Sequence, residues 1–365
     1  MKKCLLLLFF TMSFCSSQKQ EHSGSLPAKY LTPFKISETE RKAVIKQFKP
    51  VDLTRYLPEK YVTNGSVDYT EYLQKGIDVN HNVLLPDFPV KINQKGLVLN
   101  SNSNVIFNKK SKLIIMPNSQ TNYGILSLVE KENITVYYAN IEGDKYSHLN
   151  QKGEWGMGIN ILGSKNITIK YPKIEKCWGD GIYIDAYKEN QSEHITIYKG
   201  ILNDNRRNGL TIISGSFITI DYLLSANTKG TLPEAGIDIE PDDNKRVLNN
   251  ITLNNVTTFK NGRDGILIAL EAFVGLQSKK VAIDINNHFD DSSAVGLHFY
   301  NTTYKLPAHG KLLEGAVNVT NSEWINNSKL PLWYDTDKVK MPLVLKLKKT
   351  KSGNKSLDKT IEGGE

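Results

Sequence analysis

The chain has few cysteines and only one short hydrophobic run of note. Of three cysteines in 365 residues, Cys4 and Cys15 lie in the N-terminal segment, so Cys177 alone remains for the rest of the chain. A fold held together by disulfides is therefore excluded, whatever the compartment. The apolar run at residues 4–10 is far shorter than the roughly 20 residues of a membrane-spanning helix.

The first 17 residues have the form of a secretory signal, with two lysines, the apolar run and then small residues. Cys15, followed by two serines, resembles the lipid-accepting cysteine of bacterial lipoproteins, although residues 12–14 match the usual Leu-small-small poorly. Lipidation at Cys15 and simple cleavage both stay open. We expect an exported protein that is secreted, periplasmic or attached to the cell surface or outer membrane.

Charge is unevenly distributed. The net charge is +8, and lysines crowd the last stretch of the chain: Lys338, Lys340, Lys346, Lys348, Lys349, Lys351, Lys355 and Lys359. This segment is interpreted either as a solvated tail or as a surface that attracts an anionic polymer. Nucleic acid is not an expected partner, because the chain carries no nucleic-acid-binding motif and has an export signal.

What the chain has is a repeat. A glycine followed by a short apolar alternation recurs at Gly158-Ile-Asn-Ile, Gly181-Ile-Tyr-Ile, Gly209-Leu-Thr-Ile, Gly236-Ile-Asp-Ile, Gly265-Ile-Leu-Ile and Gly296-Leu-His-Phe. The steps between these glycines are 23, 28, 27, 29 and 31 residues, the spacing of one unit repeated with loops of variable length. The repeat predicts a solenoid.

A second series runs in phase with the first: Asn133-Ile-Thr-Val, Asn166-Ile-Thr-Ile, His194-Ile-Thr-Ile, Phe217-Ile-Thr-Ile, Asn250-Ile-Thr-Leu and Asn318-Val-Thr-Asn. Each repeat thus has at least two short strands of period two, and nothing between them has helical periodicity. The pattern predicts an all-β chain, a single parallel β-helix. Asparagine before each strand suits a bend.

The sequence predicts five segments. Residues 1–17 are the signal, 18–36 a flexible tether, 37–90 a cap with the first strands, 91–337 the β-helix, and 338–365 a basic tail. Within the cap, Ser37-x-x-Glu40 and Asp68-x-x-Glu71 are helix starts. One of these two short helices is expected to cover the first coil, because an open solenoid end exposes apolar side chains and unpaired strand edges.

Alternation along the strands assigns the side chains to two sides. With each repeat glycine as position zero, positions one and three point inward and positions two and four point outward. The outward set, with position minus two added, is mixed in charge and aromatic content: Asn160, Tyr183, Asp185, Arg207, Thr211, Ile213, Glu234, Asp238, Glu240, Arg263, Leu267, His298 and Tyr300. We expect these residues to form one continuous water-facing surface.

The coil that begins at Gly236 carries the strongest chemical signal. Asp238 and Glu240 lie on one side of the strand, about 7 Å apart, with Asp242 close by. Like charges raise at least one carboxyl pKa, which suits either acid/base chemistry or a bound cation. The predicted catalytic residues are Asp238, Glu240, Asp180 and Arg207.

Several residues around this coil have two interpretations. Arg206 and Arg207 either neutralise the acidic coil or bind a uronate or sulfate. Trp155 and Trp178 either pack at corners or offer platforms for sugar rings. The predicted substrate-binding set is Tyr183, Asp185, Arg206, Trp155, Trp178, Glu234, Arg263 and His298.

The two ladders resemble those of the right-handed parallel β-helix, or pectin lyase-like, superfamily, over roughly residues 60–335. Residues 68–89 are similar to the leading helix and first strand of pectate lyase and polygalacturonase-type secreted bacterial proteins. Polygalacturonases carry Asn-Thr-Asp-Gly, then an Asp pair, then Gly-His-Gly. Here Asp180-Gly181 retains the first aspartate, but Arg207-Asn208 and Glu234-Ala235-Gly236 replace the other motifs. The resemblance therefore implies the fold but not that hydrolase mechanism.

Three functions follow from this resemblance and the acidic coil. The leading expectation is a glycoside hydrolase acting on an acidic polysaccharide without a cofactor, since inverting enzymes place two carboxyls about 6.5–9.5 Å apart. The second is a polysaccharide lyase or uronate epimerase, in which Asp238, Glu240 and Asp242 hold Ca²⁺. The third is a noncatalytic glycan-binding adhesin. A monomer is expected in each case.

Overall fold

The computed structural model describes residues 25–300, 309–335 and 342–353. The predicted signal, with Cys15, lies outside the described residues. Three α-helices come first: α1 Ala28–Leu31, α2 Glu38–Phe48 and α3 Thr70–Val79, with 3-10 turns at Thr32–Phe34, Leu53–Tyr56 and, later, Glu271–Phe273. No helix among the described residues has the length and apolar character needed to cross a membrane.

The rest is β-structure, as predicted. The strands are β1 Val51–Asp52, β2 Asn82–Leu84, β3 Pro89–Ile92, β4 Leu97–Val98, β5 Ser103–Ile106, β6 Lys112–Ile115, β7 Asn122–Val129, β8 Glu132–Tyr137, β9 Asn140–Glu142, β10 Trp155–Leu162, β11 Lys165–Lys170, β12 Lys173–Glu175, β13 Ile182–Asp185, β14 Glu193–Asn203, β15 Leu210–Ile212, β16 Gly215–Ala226, β17 Ile237–Ile239, β18 Leu248–Phe259, β19 Asp264–Ala269, β20 Lys279–Asn286, β21 Phe289–Asp291, β22 Val295–Tyr300, β23 Leu313–Thr320, β24 Glu323–Ile325, β25 Leu330–Asp335 and β26 Leu343–Lys348.

These strands stack in parallel as a solenoid of about nine turns with two sheets. The Gly-Ile-x-Ile series forms the nine-stranded sheet, in the order β4, β7, β10, β13, β15, β17, β19, β22 and β25. The larger sheet is bent, because β14, β16 and β18 each pass through a left-handed residue, Lys199, Tyr222 or Asn255. Each coil therefore presents three faces.

The predicted inward residues form the core. All twelve, two from each of six coils, are 0% exposed: Ile159, Ile161, Ile182, Ile184, Leu210, Ile212, Ile237, Ile239, Ile266, Ile268, Leu297 and Phe299. Burying one such side chain stabilises the fold by roughly 1.5–3 kcal/mol. Packing of these stacked side chains, rather than disulfides, holds the coils together, and Cys177 is buried with a free thiol.

The predicted bend before the second strand is also present. The first residue of that series has a left-handed backbone in five successive coils, with φ between 54° and 57° at Asn133, Asn166, His194, Phe217 and Asn250. Asparagine tolerates this region better than most residues. The side chains also bond along the axis, since Asn166 Nδ2 donates to Asn133 Oδ1 at 3.0 Å.

Helix α3 is the predicted cap of the first coil. Its Leu73 and Ile77 are buried in the core. The Gln74 side chain donates to the Val98 carbonyl and accepts from the Val98 amide, each at 2.9 Å, and so satisfies the open edge of β4. Helix α2 follows Ser37 as predicted, although the Ser37 side chain makes no capping bond.

Among the described residues, segments 25–36 and 342–353 differ from the predicted tether and tail. Residues 28–34 are helical, and Tyr30 is buried against Leu224, Ala226 and Phe259 on the outside of the larger sheet. The Tyr30 hydroxyl donates to Asp291. At the other end, β26 pairs in register with β23, so the ladder extends into the segment predicted as a tail.

Candidate functional site

A groove of about 680 Å³ lies along the C-terminal coils of the nine-stranded sheet. It is lined by Arg207, Leu232, Pro233, Glu240, Pro241, Arg263, Leu267, Ala269, Glu271, Ala272, His298 and Tyr300. Four of these were predicted site residues: Arg207, Glu240, Arg263 and His298. The strand residues are brought together by register, since Ala269 pairs with Tyr300 and Leu267 with His298.

The residues at position two form the expected ladder, one per coil: Asn160, Tyr183, Thr211, Asp238, Leu267, His298 and, beyond the last repeat glycine, Trp333. The expectation that all of them reach water is wrong. Thr211 and Asp238 are 0% exposed and His298 is 2% exposed. We call these buried position-two side chains the floor. The position-four side chains Glu240, Ala269 and Tyr300 line the groove beside it.

The floor is closed by a diagonal contact from the residue that precedes each repeat glycine. The Thr211 hydroxyl donates to Asp180 at 2.7 Å, and Asn208 Nδ2 donates to Asp238 at 2.9 Å. His298 Nδ1 lies 3.5 Å from Asp264. In each case position minus one of one coil reaches position two of the next coil and shields it from water.

Asp238 and Glu240 are close enough to interact electrostatically. Their use as an inverting pair of carboxyls about 6.5–9.5 Å apart stays a prediction. Burial and the neighbouring Glu240 raise the pKa of Asp238 well above its usual value. Burial likewise raises the pKa of Glu240, although Arg207 opposes the rise.

Arg207 is an internal counter-ion. Its Nη1 donates to Asp180 at 3.0 Å, its Nε lies 3.6 Å from Glu154, and its side chain is only 11% exposed. Burial lowers the pKa of Arg207, but the carboxylates of Asp180, Asp238 and Glu240 outweigh it. Burial raises the pKa of Asp180 in spite of Arg207. Arg207 therefore fixes the charge balance of the floor and has little surface for a ligand.

Arg263 is the more open arginine. Its Nε lies 3.4 Å from Asp264, and its side chain is 37% exposed. His298 is held between two carboxylates, since Nε2 lies 3.5 Å from Asp335, and its ring stacks on Trp333 with centroids 4.9 Å apart. Arg263 and His298 therefore both border the groove, each with one edge facing a carboxyl of the protein.

Tyr183 and Asp185 lie farther along the solenoid, outside the groove. Asp185 is paired with Arg246 Nε at 3.2 Å, and burial raises its pKa to about 6. Asp242 is exposed and is held by the same arginine at 2.7 Å. Asp242 is thus not assembled with Asp238 and Glu240, and the described part of the chain contains no group of three His, Cys, Asp or Glu suited to a metal ion. The calcium hypothesis stays a prediction.

The two tryptophans have different settings. Trp178 is buried between His148, at 4.1 Å between centroids, and the Arg206 guanidinium, 3.7 Å from the ring centroid. This arrangement matches corner packing, and Arg206 is occupied by it. Trp155 is 45% exposed and keeps the platform interpretation. Glu234 accepts from the Gly230 amide at 2.7 Å and so braces its own loop.

Besides Tyr300, three polar or charged residues in or beneath the groove were not predicted as site residues. Asn208 links the Asp180 and Asp238 coils, because its amide donates to Asp180 and its side chain to Asp238. Asp264 precedes Gly265 as Asp180 precedes Gly181, a sequence signal that was available. Glu271, which accepts from the Tyr300 hydroxyl at 3.4 Å, follows β19 in a 3-10 turn and has no periodic signal.

No protein-family model matches the chain. Two Bacillus subtilis proteins, both described as uncharacterized, are similar: YclG, 29% identical over 187 residues or 47% of this chain, and the SPbeta prophage-derived YorA, 26% identical over 241 residues or 60%. The alignments cover 32% and 39% of those proteins, so the chain spans little more than a third of their length.

Solved structures match over more of the chain. They include the A-module of the mannuronan C-5 epimerase AlgE6 of Azotobacter vinelandii, with 12% identity, TM-score 0.55 and coverage of 83% of this chain and 99% of that one. The polygalacturonase of Erwinia carotovora has 16% identity, TM-score 0.50 and coverage of 81% and 95%. The chain has the right-handed parallel β-helix fold that these proteins share. The β-helix of PfbA, a Streptococcus pneumoniae surface adhesin, is similar too, with 13% identity, TM-score 0.54 and coverage of 82% and 83%.

Proposed function

We propose that this β-helix protein is an exported, carbohydrate-active enzyme that binds a polysaccharide in the groove and hydrolyses it. The observation that carries the proposal is that the Glu240 carboxyl lines the groove next to the buried Asp238, and that burial raises the pKa of Glu240. The epimerase and polygalacturonase with the same fold act on polysaccharides by name, which supports a glycan ligand.

Glu240 serves as the general acid. Glycosidic bond cleavage needs a carboxyl that still holds a proton near neutral pH and can give it to the leaving oxygen. Burial favours the protonated form of Glu240, and Arg207 and Asp238 limit that effect. Asp238 is 0% exposed, so it influences the substrate only through Glu240.

Glu271 serves as the second carboxyl. It lines the same groove and contacts Tyr300, which stands two coils beyond Glu240 at position four. Two coil spacings amount to about 9–10 Å between the backbones of Glu240 and Tyr300. Ala269 occupies position four of the intervening coil and leaves space there. We therefore assign Glu240 and Glu271 as the inverting pair, whose carboxyls would need to stand about 6.5–9.5 Å apart with a water between them.

A second candidate, elimination or epimerisation at a uronate, is favoured by His298 and Tyr300. Both side chains line the groove on the far side of Glu240, where one of them would take the proton from the sugar ring. Glu240 then keeps the same task in an elimination, protonation of the leaving oxygen. The two candidates differ in the proton that the base removes. In hydrolysis it comes from water, and in elimination or epimerisation it comes from a carbon of the sugar ring.

The test is incubation with anionic glycans, with and without chelator, while reducing ends and absorbance at the unsaturated uronate band are followed. Reducing ends without absorbance support hydrolysis, rising absorbance supports elimination, and retention with neither indicates an adhesin. Glu240→Gln should lower turnover by about 10²–10⁴-fold. The control Glu193→Gln, which removes an exposed ion pair with Lys165 on another face, should not. Full activity of Glu240→Gln would contradict the assignment.

A further inference from the structure

Asp264 is a buried carboxylate to which the proposed reaction assigns no task. It is the first residue of β19 and is 0% exposed. Neither of its oxygens has a hydrogen-bond partner in the described part of the protein. Such a group is costly unless cations compensate its charge. Its charged neighbours are Arg263 Nε at 3.4 Å and His298 Nδ1 at 3.5 Å.

The contact with Arg263 determines how the guanidinium is presented. A guanidinium is a rigid plane, so when the Nε edge faces Asp264, the edge with the two terminal nitrogens faces elsewhere. Those nitrogens have no acceptor among the described residues, and the side chain lines the groove. Arg207 differs, because its Nη1 is already bonded to Asp180. Arg263 is therefore the guanidinium that a ligand can engage.

His298 is fixed by the same carboxylate. Its Nδ1 faces Asp264, its Nε2 faces Asp335, and Trp333 covers one face of the ring. Asp335 is itself held by Trp333, whose Nε1 donates to it at 2.7 Å. The buried Asp264 carboxylate thus faces both Arg263 and His298 at this end of the groove.

Arg263 is also close enough to Glu240 to act on it electrostatically. A ligand oxyanion held by the terminal nitrogens of Arg263 would therefore lie beside the proposed general acid. A bidentate contact of this kind is geometrically demanding, so the orientation of the plane matters as much as the charge.

We propose that Asp264 is a positioning residue, which holds Arg263 and His298 so that the guanidinium presents its two terminal nitrogens to an oxyanion of the bound glycan, a carboxylate or a sulfate. The inference rests on the proposed function only in taking a glycan as the ligand. It does not depend on whether the bond is hydrolysed or eliminated.

The test separates binding from turnover by using Glu240→Gln as the parent. Its Kd for polygalacturonate, alginate, chondroitin sulfate and neutral dextran is measured calorimetrically at fixed ionic strength. Asp264→Asn and Arg263→Met should each weaken binding of the anionic glycan about tenfold, the loss expected for one charge-assisted contact. The double variant should also lose about tenfold rather than a hundredfold, since both changes remove the same contact. Preference for uronate or sulfate probes identifies the oxyanion.

Asp290→Asn is the matched control, because it replaces a buried aspartate that does not line the groove. This variant should leave the Kd for the anionic glycan unchanged. Additive losses, an unchanged Kd for Asp264→Asn, or no binding of any anionic probe would each overturn the proposal. If Asp264→Asn does not fold, binding by Arg263→Lys is measured instead. A lysine ammonium lacks the planar guanidinium with its two terminal nitrogens, so this variant should also weaken binding of the anionic glycan about tenfold. Binding by the parent without turnover by the wild type would instead refute the proposed function alone.

Discussion

Replacing Asp290 by Asn should change how the stability of the protein depends on pH. Asp290 lies in β21 inside the solenoid, where it accepts hydrogen bonds from Thr258 and Ser293 at 2.6 Å and from Asn327 at 2.6 Å. Burial nevertheless dominates and raises the pKa of Asp290 from 3.8 to about 7. The folded protein therefore keeps this proton over a pH range in which the unfolded chain has lost it.

The sign and the size follow from linkage. A carboxyl whose pKa is raised by folding contributes its full stability below the unfolded value and loses it as pH rises through the folded value. The interval from 3.8 to about 7 corresponds to roughly 4 kcal/mol. Asn cannot titrate, so the difference in unfolding free energy, variant minus wild type, should rise by roughly 4 kcal/mol between pH 4 and pH 8.

The assay is urea unfolding of both proteins at several pH values. The neighbouring Asp291 is a control, because its pKa is lowered by its hydrogen bonds against the effect of burial. The Asp291→Asn difference should therefore stay nearly constant over the same range. An Asp290→Asn difference that does not rise with pH would show that this carboxyl ionises without penalty and refute the reasoning.

Two further predictions concern the packing of Trp178 and the N-terminal segment. Trp178→Ala removes the ring stacked between His148 and Arg206 and should cost roughly 3–5 kcal/mol in urea unfolding; a cost below 1 kcal/mol would show that the stack is not a packing element. Tyr30→Phe removes the hydroxyl bonded to Asp291 and should lower amide protection of residues 26–34 about tenfold in hydrogen exchange, with coil amides unchanged. Equal protection in the two proteins would exclude a role for this bond in holding the segment.

The core was predictable because alternation and repetition are local properties of the sequence. Glycine positions gave the coil boundaries, and side chains at positions one and three had to point inward in every coil. The left-handed residue before the second strand was predictable as well, since asparagine occurs there repeatedly. Phe217 shows that the backbone conformation persists at φ 55° even where asparagine is absent. Stacking of neighbouring coils therefore imposes the bend.

The candidate site was predictable only in part, because its geometry depends on contacts between coils. Alternation predicted that Asp238 and Glu240 lie on the same side of the strand. It does not predict how far each side chain extends or which neighbours it contacts. In the structure Asp238 is fully buried while Glu240 lines the groove, a difference that alternation cannot express. Glu271 could not be predicted from the sequence for another reason. It lies in an irregular turn, and only the fold brings this turn close to Tyr300.

The residue before a repeat glycine contacts position two of the next coil. This diagonal contact explains why the side chains predicted to face water are buried as the floor. Asp180, Asn208 and Asp264 precede repeat glycines, and each reaches the next coil. The diagonal pair between these networks, Ala235 and Leu267, is apolar and buried, and in coil order it lies between the Asp180–Thr211–Asn208–Asp238 network and the Asp264–His298 pair. The hydrogen-bonded acids and the open arginine thus fall in adjacent coils. Arg263 still acts on Glu240, because its charge opposes the rise in the Glu240 pKa that burial causes.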